Sequence, residues 1–160
     1  LSREDHARDA RTLIEAYAED PMGAGRPLPS DVGARLVPAL RAHPTTVILL
    51  AYGDGVAVGV AVCFLGFSTF AARPLLYLHD LAVLRSHRGH GVGRALLDAV
   101  ERKARLLGCV KVTLEVGEHN GRARTLYESM GFRQAMADTP AGGALSYAKT
   151  LDASAPVTWP

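Results

Sequence analysis

The apolar positions switch period several times along the chain. Ala10, Leu13, Ile14 and Tyr17 recur at helical spacing until Pro21, and Ser2 with Asp5 three residues later marks the start of this first helix. A loop from Gly23 to Pro29 leads to Ser30 as a predicted N-cap, and Val32, Leu36, Val37 and Leu40 give a second amphipathic helix ending before Pro44. Strand patterns follow over Thr46 to Tyr52, Val56 to Leu65 and Leu75 to Leu84. The next helix buries Leu96, Leu97, Val100, Ala104 and Leu107 on one face and stops at Gly108. A strand over Cys109 to Val116 and a short helix from Asn120 to Met130, closed by Gly131, come next. Phe132 to Ala137 and Ala144 to Leu151 form a final hairpin through Thr139 to Gly143, leaving a loose tail over Asp152 to Pro160.

A chain of 160 residues fits one domain with an ordinary core. The longest apolar tract, Val47 to Phe67, is interrupted by Tyr52-Gly53-Asp54-Gly55, so it reads as two strands around a turn and not as a membrane span. Eighteen Lys and Arg against 16 Asp and Glu leave a formal charge of +2, too balanced for a protein that coats nucleic acid or anionic lipid. Cys63 and Cys109 lie in apolar surroundings without metal-ligand spacing, which predicts buried thiols in a reducing cytoplasm and no metal site. The charged opening LSREDHARDA has no apolar core of a signal peptide, consistent with a cytoplasmic location.

The candidate chemistry lies in Leu81 to Leu97, LAVLRSHRGHGVGRALL, where glycines 89, 91 and 93 separate a strand from a helix. Such a turn presents unpaired N–H groups and the positive end of a helix dipole, which suit phosphate oxygens. Missing side chains let a ligand touch the main chain, and Arg88 and Arg94 can add charge-assisted hydrogen bonds. A pyrophosphate is the expected guest; a basic surface turn is the plain alternative. No Gly-Lys-Ser/Thr follows and the spacing is GxGxG, so nucleotide-hydrolysis and dinucleotide loops fit poorly.

Arg88-x-x-Gly91-x-Gly93, together with LEVGEHNGRARTLYESMGF over Leu114 to Phe132, resembles the GNAT family of N-acetyltransferases. The stretch CFLGFSTFAARPLLYLHDLAVLRSHRGHGVG is similar to the diamine (spermidine/spermine) acetyltransferase branch, and the resemblance covers about Thr46 to Phe132. It implies an α/β (α+β) fold with a mixed, mostly antiparallel sheet, a splayed parallel strand pair and about four flanking helices, as one acetyltransferase domain over residues 1–151. One departure is visible: the family usually opens with a strand before the first helix, and almost nothing precedes Ser2.

The resemblance implies acetyl-CoA as cosubstrate. The backbone of Leu81, Ala82 and Val83 would pair with the pantetheine arm as an added strand, while Gly89, His90, Gly91, Val92, Gly93 and Arg94 wrap the pyrophosphate. Asn120 and Ala123 would flank the arm from the other side, and Tyr127 would donate a proton to the departing sulfur. Tyr127 also falls on the apolar stripe with Ala123 and Met130, where it would be a core residue.

An alkylammonium acceptor must lose a proton before it attacks, and His79 and Asp80 are candidates to take it. Neighbours on a strand face opposite ways, so only one of the two looks at the reacting groups. The diamine branch carries an acidic residue where this chain has His79, which weakens any transfer of polyamine specificity. Glu115 could bind a cationic acceptor or relay its proton, while His87, His90 and His119 suit solvent or phosphate better than a metal. Glu15, Glu19, Asp20 and Asp31 lie in or near the helices that shape the acceptor side in the family. The expected function is acetyl transfer to a small primary amine in a ternary complex. The alternatives are a protein N-terminus or lysine as acceptor, a silent CoA-binding module, or a phosphate-binding interaction domain. Homodimerisation through the final hairpin or Trp159 is also open.

Overall fold

The computed structural model describes residues 3–134 and 144–151. Ser2, the loop Thr139 to Gly143 and the tail with Trp159 lie outside the described residues. The elements run α1 (Glu4–Glu19), α2 (Ser30–Ala42), β1 (Thr46–Gly53), β2 (Val56–Ser68), β3 (Arg73–Val83), α3 (Val92–Leu106), β4 (Lys111–Gly117), α4 (Gly121–Ser129), β5 (Arg133–Gln134) and β6 (Ala144–Thr150). The strands form one mixed, mostly antiparallel sheet in the order β1-β2-β3-β4-β6-β5, with β3 and β4 parallel. By internal contacts the chain divides into two compact units, residues 1–62 with 80–96 and residues 63–79 with 97 onward.

In the first unit, α1 begins at Glu4 with Arg3 in the N-cap position and no side-chain cap; Glu4 and Asp5 supply negative charge to the first turn instead. The helix buries Ala7, Ala10, Leu13 and Ala18. The second helix differs from expectation by one residue. Pro29, with φ −53°, holds the N-cap position and Ser30 is already helical. A Cβ on Gly33 would come within 3.1 Å of the Glu15 carboxylate, so α2 passes α1 closely there. Asp54 and Gly55 have φ of 48° and 79°, the two left-handed residues of a type I′ turn that matches the twist of β1 and β2. Gly59 lets β2 sit against its neighbours, because a Cβ there would meet Leu96, Val92 and the Ala82 carbonyl at 3.0–3.1 Å.

The second unit is organised around β4. It pairs in parallel with β3 through Leu76↔Val112, Tyr77↔Thr113 and Leu78↔Leu114, and in antiparallel fashion with β6 from Lys111↔Thr150 to Gly117↔Ala144. A parallel pair needs a long crossover, which α3 supplies. That helix stops in a Schellman motif: Gly108 has φ 69°, its N–H donates to the Arg105 carbonyl, and Cys109 N–H donates to the Ala104 carbonyl. Lys149 of β6 donates to Glu101 of α3 at 2.5 Å, and Arg105 does so at 2.8 Å. Burial alone would raise the Glu101 carboxyl; the two cations outweigh it and hold the group below its ordinary range. Cys63 and Cys109 are buried as expected, and burial pushes the Cys109 thiol up to about 11. Among the described residues no helix is long and apolar enough to cross a membrane.

Candidate active site

After β3 the chain makes one 3-10 turn over Arg85–His87 and then reaches the glycines. Gly89 and Gly91 both have φ 84°, a conformation that costs an L-residue about 1–2 kcal/mol. The α3 ladder starts at once, with Ala95 N–H donating to the Gly91 carbonyl at 3.0 Å. A Cβ built on Gly91 has nothing within 4 Å, so the backbone angle requires the glycine and the space beside it is open. The first-turn amides of an α-helix have no acceptor one turn back, and this end of α3 carries the positive end of the helix dipole. His90 on the loop and Arg94 in the first turn of α3 are exposed.

Arg88 is directed elsewhere. Its Nε donates to the Val83 carbonyl at 2.9 Å and its Nη2 to Asp20 Oδ2 at 2.6 Å. The other Asp20 oxygen accepts from Met22 N–H at 2.9 Å. That backbone bond, then Arg88, hold the Asp20 carboxyl below its ordinary range.

Leu84 N–H donates to the Val58 carbonyl of β2. Because the hydrogen-bonding edge alternates along a strand, Leu81 and Val83 present their backbone groups to the opposite edge of β3, while Ala82 faces β2. Asp80 is half-buried and shares a face with buried Leu76, Leu78 and Ala82. Its charge reaches Tyr17, whose phenol is raised first by burial, then by Asp80 and Asp20. His79 faces the other way and is exposed. Its ring meets Phe64 edge-on at 5.7 Å and Tyr77 at 5.7 Å. Tyr77 is in register with Thr113, so His79 and Glu115, each two residues further on, fall on the same face. Among the described residues the parallel register ends at Leu78↔Leu114, while β3 continues to Val83 and β4 to Gly117.

Asn120 occupies the N-cap position of α4, and its Oδ1 accepts from Ala123 N–H at 3.2 Å, which joins these two sequence-predicted residues in one cap. At the other end Gly131 has φ 86°, with Gly131 N–H donating to the Glu128 carbonyl and Phe132 N–H to the Tyr127 carbonyl. This Schellman motif brings its usual hydrophobic partners together: the Tyr127 and Phe132 rings lie 5.9 Å apart. Tyr127 is only 7% exposed and also faces the Tyr147 ring at 6.5 Å. Tyr147 donates to Glu128 at 2.8 Å and accepts from Arg124 Nε at 3.3 Å. Gly131→Ala would place a Cβ in a left-handed residue, 3.5 Å from the Lys149 side chain. A stability loss of about 1–2 kcal/mol is expected in a melting curve, and an unchanged midpoint would show that the turn tolerates strain.

Residues 10–132 match the model of the Acetyltransferase (GNAT) family. The chain belongs to the GNAT family. The GNAT match spans the glycine loop, β4 and α4. Over 69 residues, 39% of this chain and 24% of the relative, it is 44% identical to N-alpha-acetyltransferase 40 of Saccharomyces cerevisiae. Over 74 residues, 46% of this chain and 43% of the relative, it is 34% identical to thialysine N-epsilon-acetyltransferase of Bos taurus. The chain thus spans less than half the length of these two GNAT relatives. The fold is similar to that of AAC(6')-Iy in complex with the bisubstrate analogue CoA-S-monomethyl-acetylneamine, with a TM-score of 0.71, 21% identity, and 85% and 90% of the two chains covered.

Two groups beside these GNAT elements escaped the sequence reading. The Asp20–Arg88–Val83 contact joins residues 68 positions apart, with no local signal beyond an acidic residue at a helix end. The Arg124–Tyr147–Glu128 cluster likewise needs β6 brought back beside α4.

Proposed function

We propose that this domain is an acetyl-CoA-dependent N-acetyltransferase whose acceptor is a small primary amine. The observation that carries the reading is the pair of left-handed glycines at 89 and 91 feeding the α3 N-terminus with open space beside Gly91. Those features suit the pyrophosphate of CoA, held by the amides of Gly89 to Arg94 with Arg94 and His90 adding charge and hydrogen bonds. Leu81 and Val83 offer backbone groups to an extended pantetheine arm, and Asn120 with Ala123 would border it. The bound cosubstrate supplies an activated acetyl thioester. His79 takes a proton from the acceptor ammonium, and Tyr127 gives one to the leaving sulfur. Glu115 shares the His79 face and attracts a cationic acceptor; Asp80, on the opposite face, does so only from the α1 side. None of these roles calls for a metal.

A protein N-terminus is the second reading, favoured by the match to the yeast N-alpha-acetyltransferase. A thiol-release assay with acetyl-CoA across small amines, amino acids, and peptides bearing a free N-terminus or lysine separates the two. Turnover confined to peptides would overturn the small-amine reading, and no turnover with any acceptor despite CoA binding would leave a binding module.

If His79 is the base, His79→Ala should lower turnover and remove one ionisation from the pH–rate profile. A variant with the parental rate and profile would pass the role to Glu115, Asp80 or water.

A further inference from the structure

We propose that the Asp20–Arg88 ion pair ties the turn after α1 to the end of β3 and to the glycine loop, making Arg88 a positioning residue for acetyl-CoA rather than a phosphate contact. The ligand in this inference rests on the acetyltransferase reading above, whereas the tie itself rests on geometry. Arg88 uses its planar fork in two directions at once, to a main-chain carbonyl and to a carboxylate, and the side chains are only 25% and 11% exposed. Turning the guanidinium toward a phosphate would strand Asp20 in a largely buried position, which costs more than an exposed charge would.

Asp20 is equally committed on its own side. Its carboxylate accepts from Met22 N–H, and its carbonyl accepts from Gly23 N–H at 2.8 Å and Gly25 N–H at 3.2 Å. Arg26 N–H then closes the turn onto the Ala18 carbonyl at 3.1 Å. The turn is built to fit tightly: a Cβ on Gly23 would collide with the Tyr17 carbonyl oxygen, and Gly25 has φ 66°. Asp20 is thus the node of a rigid turn, and Arg88, immediately before Gly89, is fixed to that node. Where Arg88 is held, the backbone that follows is held.

The test uses the full chain and the variants Asp20→Asn, Arg88→Met, Arg88→Lys and the Asp20→Asn/Arg88→Met double, with acetyl-CoA titrated by calorimetry and amide exchange read at Met22, Gly23 and Gly25. Each single variant should weaken acetyl-CoA by about five- to thirtyfold, and the double no further than the weaker single, because both remove one interaction. Exchange at the three amides should quicken in every variant. Lysine should fail to rescue, since a single ammonium cannot reproduce the two-directional fork. The proposal is overturned if Asp20→Asn binds acetyl-CoA as tightly as the parent while Arg88→Met does not, if lysine restores affinity, or if amide exchange is unchanged. Should the parent itself bind no acetyl-CoA, the functional reading fails and the exchange rates alone decide the tie. Should Arg88→Met not fold, Asp20→Asn and Arg88→Lys decide between the same two outcomes.

Discussion

Replacing Tyr127 with phenylalanine is expected to lower turnover by about 10²- to 10⁴-fold, the usual contribution of a positioned proton donor. As a thioester is cleaved, negative charge gathers on sulfur. A thiol ionises near 8.5 and a phenol near 10 in water, so complete transfer from phenol to thiolate is uphill by roughly 2 kcal/mol, while donation during bond breaking is favourable. The loss should fall on the rate and not on binding. Tyr127→Phe retains the ring that packs on Phe132 and Tyr147, so the melting point and acetyl-CoA affinity should stay close to parental. Steady-state turnover, a melting curve and a titration on one preparation check this. Near-parental turnover would make Tyr127 the core residue that its 7% exposure also describes.

Gly91→Val should weaken acetyl-CoA by at least about tenfold. Two effects add: a β-branched side chain is strained at φ 84°, and its methyl groups occupy the open space where phosphate oxygens would approach the backbone. Gly91→Ala separates them, because it carries the backbone strain with less of the obstruction. The alanine variant should lie between the parent and the valine variant in affinity, with both variants lowering the melting point. Unchanged affinity in a folded Gly91→Val protein would remove the glycine loop from the ligand site.

The parts of the fold that were legible in the sequence are those with a strong local cause. Asp54-Gly55, Gly108 and Gly131 are demanded by left-handed backbone angles, and each ends or turns an element where the sequence placed it. The buried stripe of α3 through Leu96, Leu97, Val100 and Ala104 follows from its period, although Leu107 is only half-buried. Errors arose where the local preference is small. A serine cap is worth about 1 kcal/mol, less than other terms at a helix start, and both predicted serine starts moved: α1 opens at Glu4, and Ser30 lies inside α2 behind a proline already set near the helical φ. Strand β2 runs to Ser68, three residues beyond its predicted end at Leu65. The site divides along the same line. Glycine positions, the alternation of His79 and Asp80, and the start of α4 near Asn120 can be read from short windows; the partner of Arg88 cannot, because nothing near residue 88 says that residue 20 is beside it.

The Arg88 contact with Val83 also sets a measure of length. On the edge of β3 turned away from β2, Leu81 offers both an N–H and a carbonyl, and Val83 offers its N–H, but the Val83 carbonyl already carries the guanidinium. A side chain thus stops the ladder as a proline would stop it from the donor side. An extended ligand lying along this edge would find acceptors and donors over about 7 Å, two residues of strand, and then the Arg88–Asp20 pair in place of a further acceptor. The straight portion of such a ligand would end there, against a side chain already committed to Val83 and Asp20.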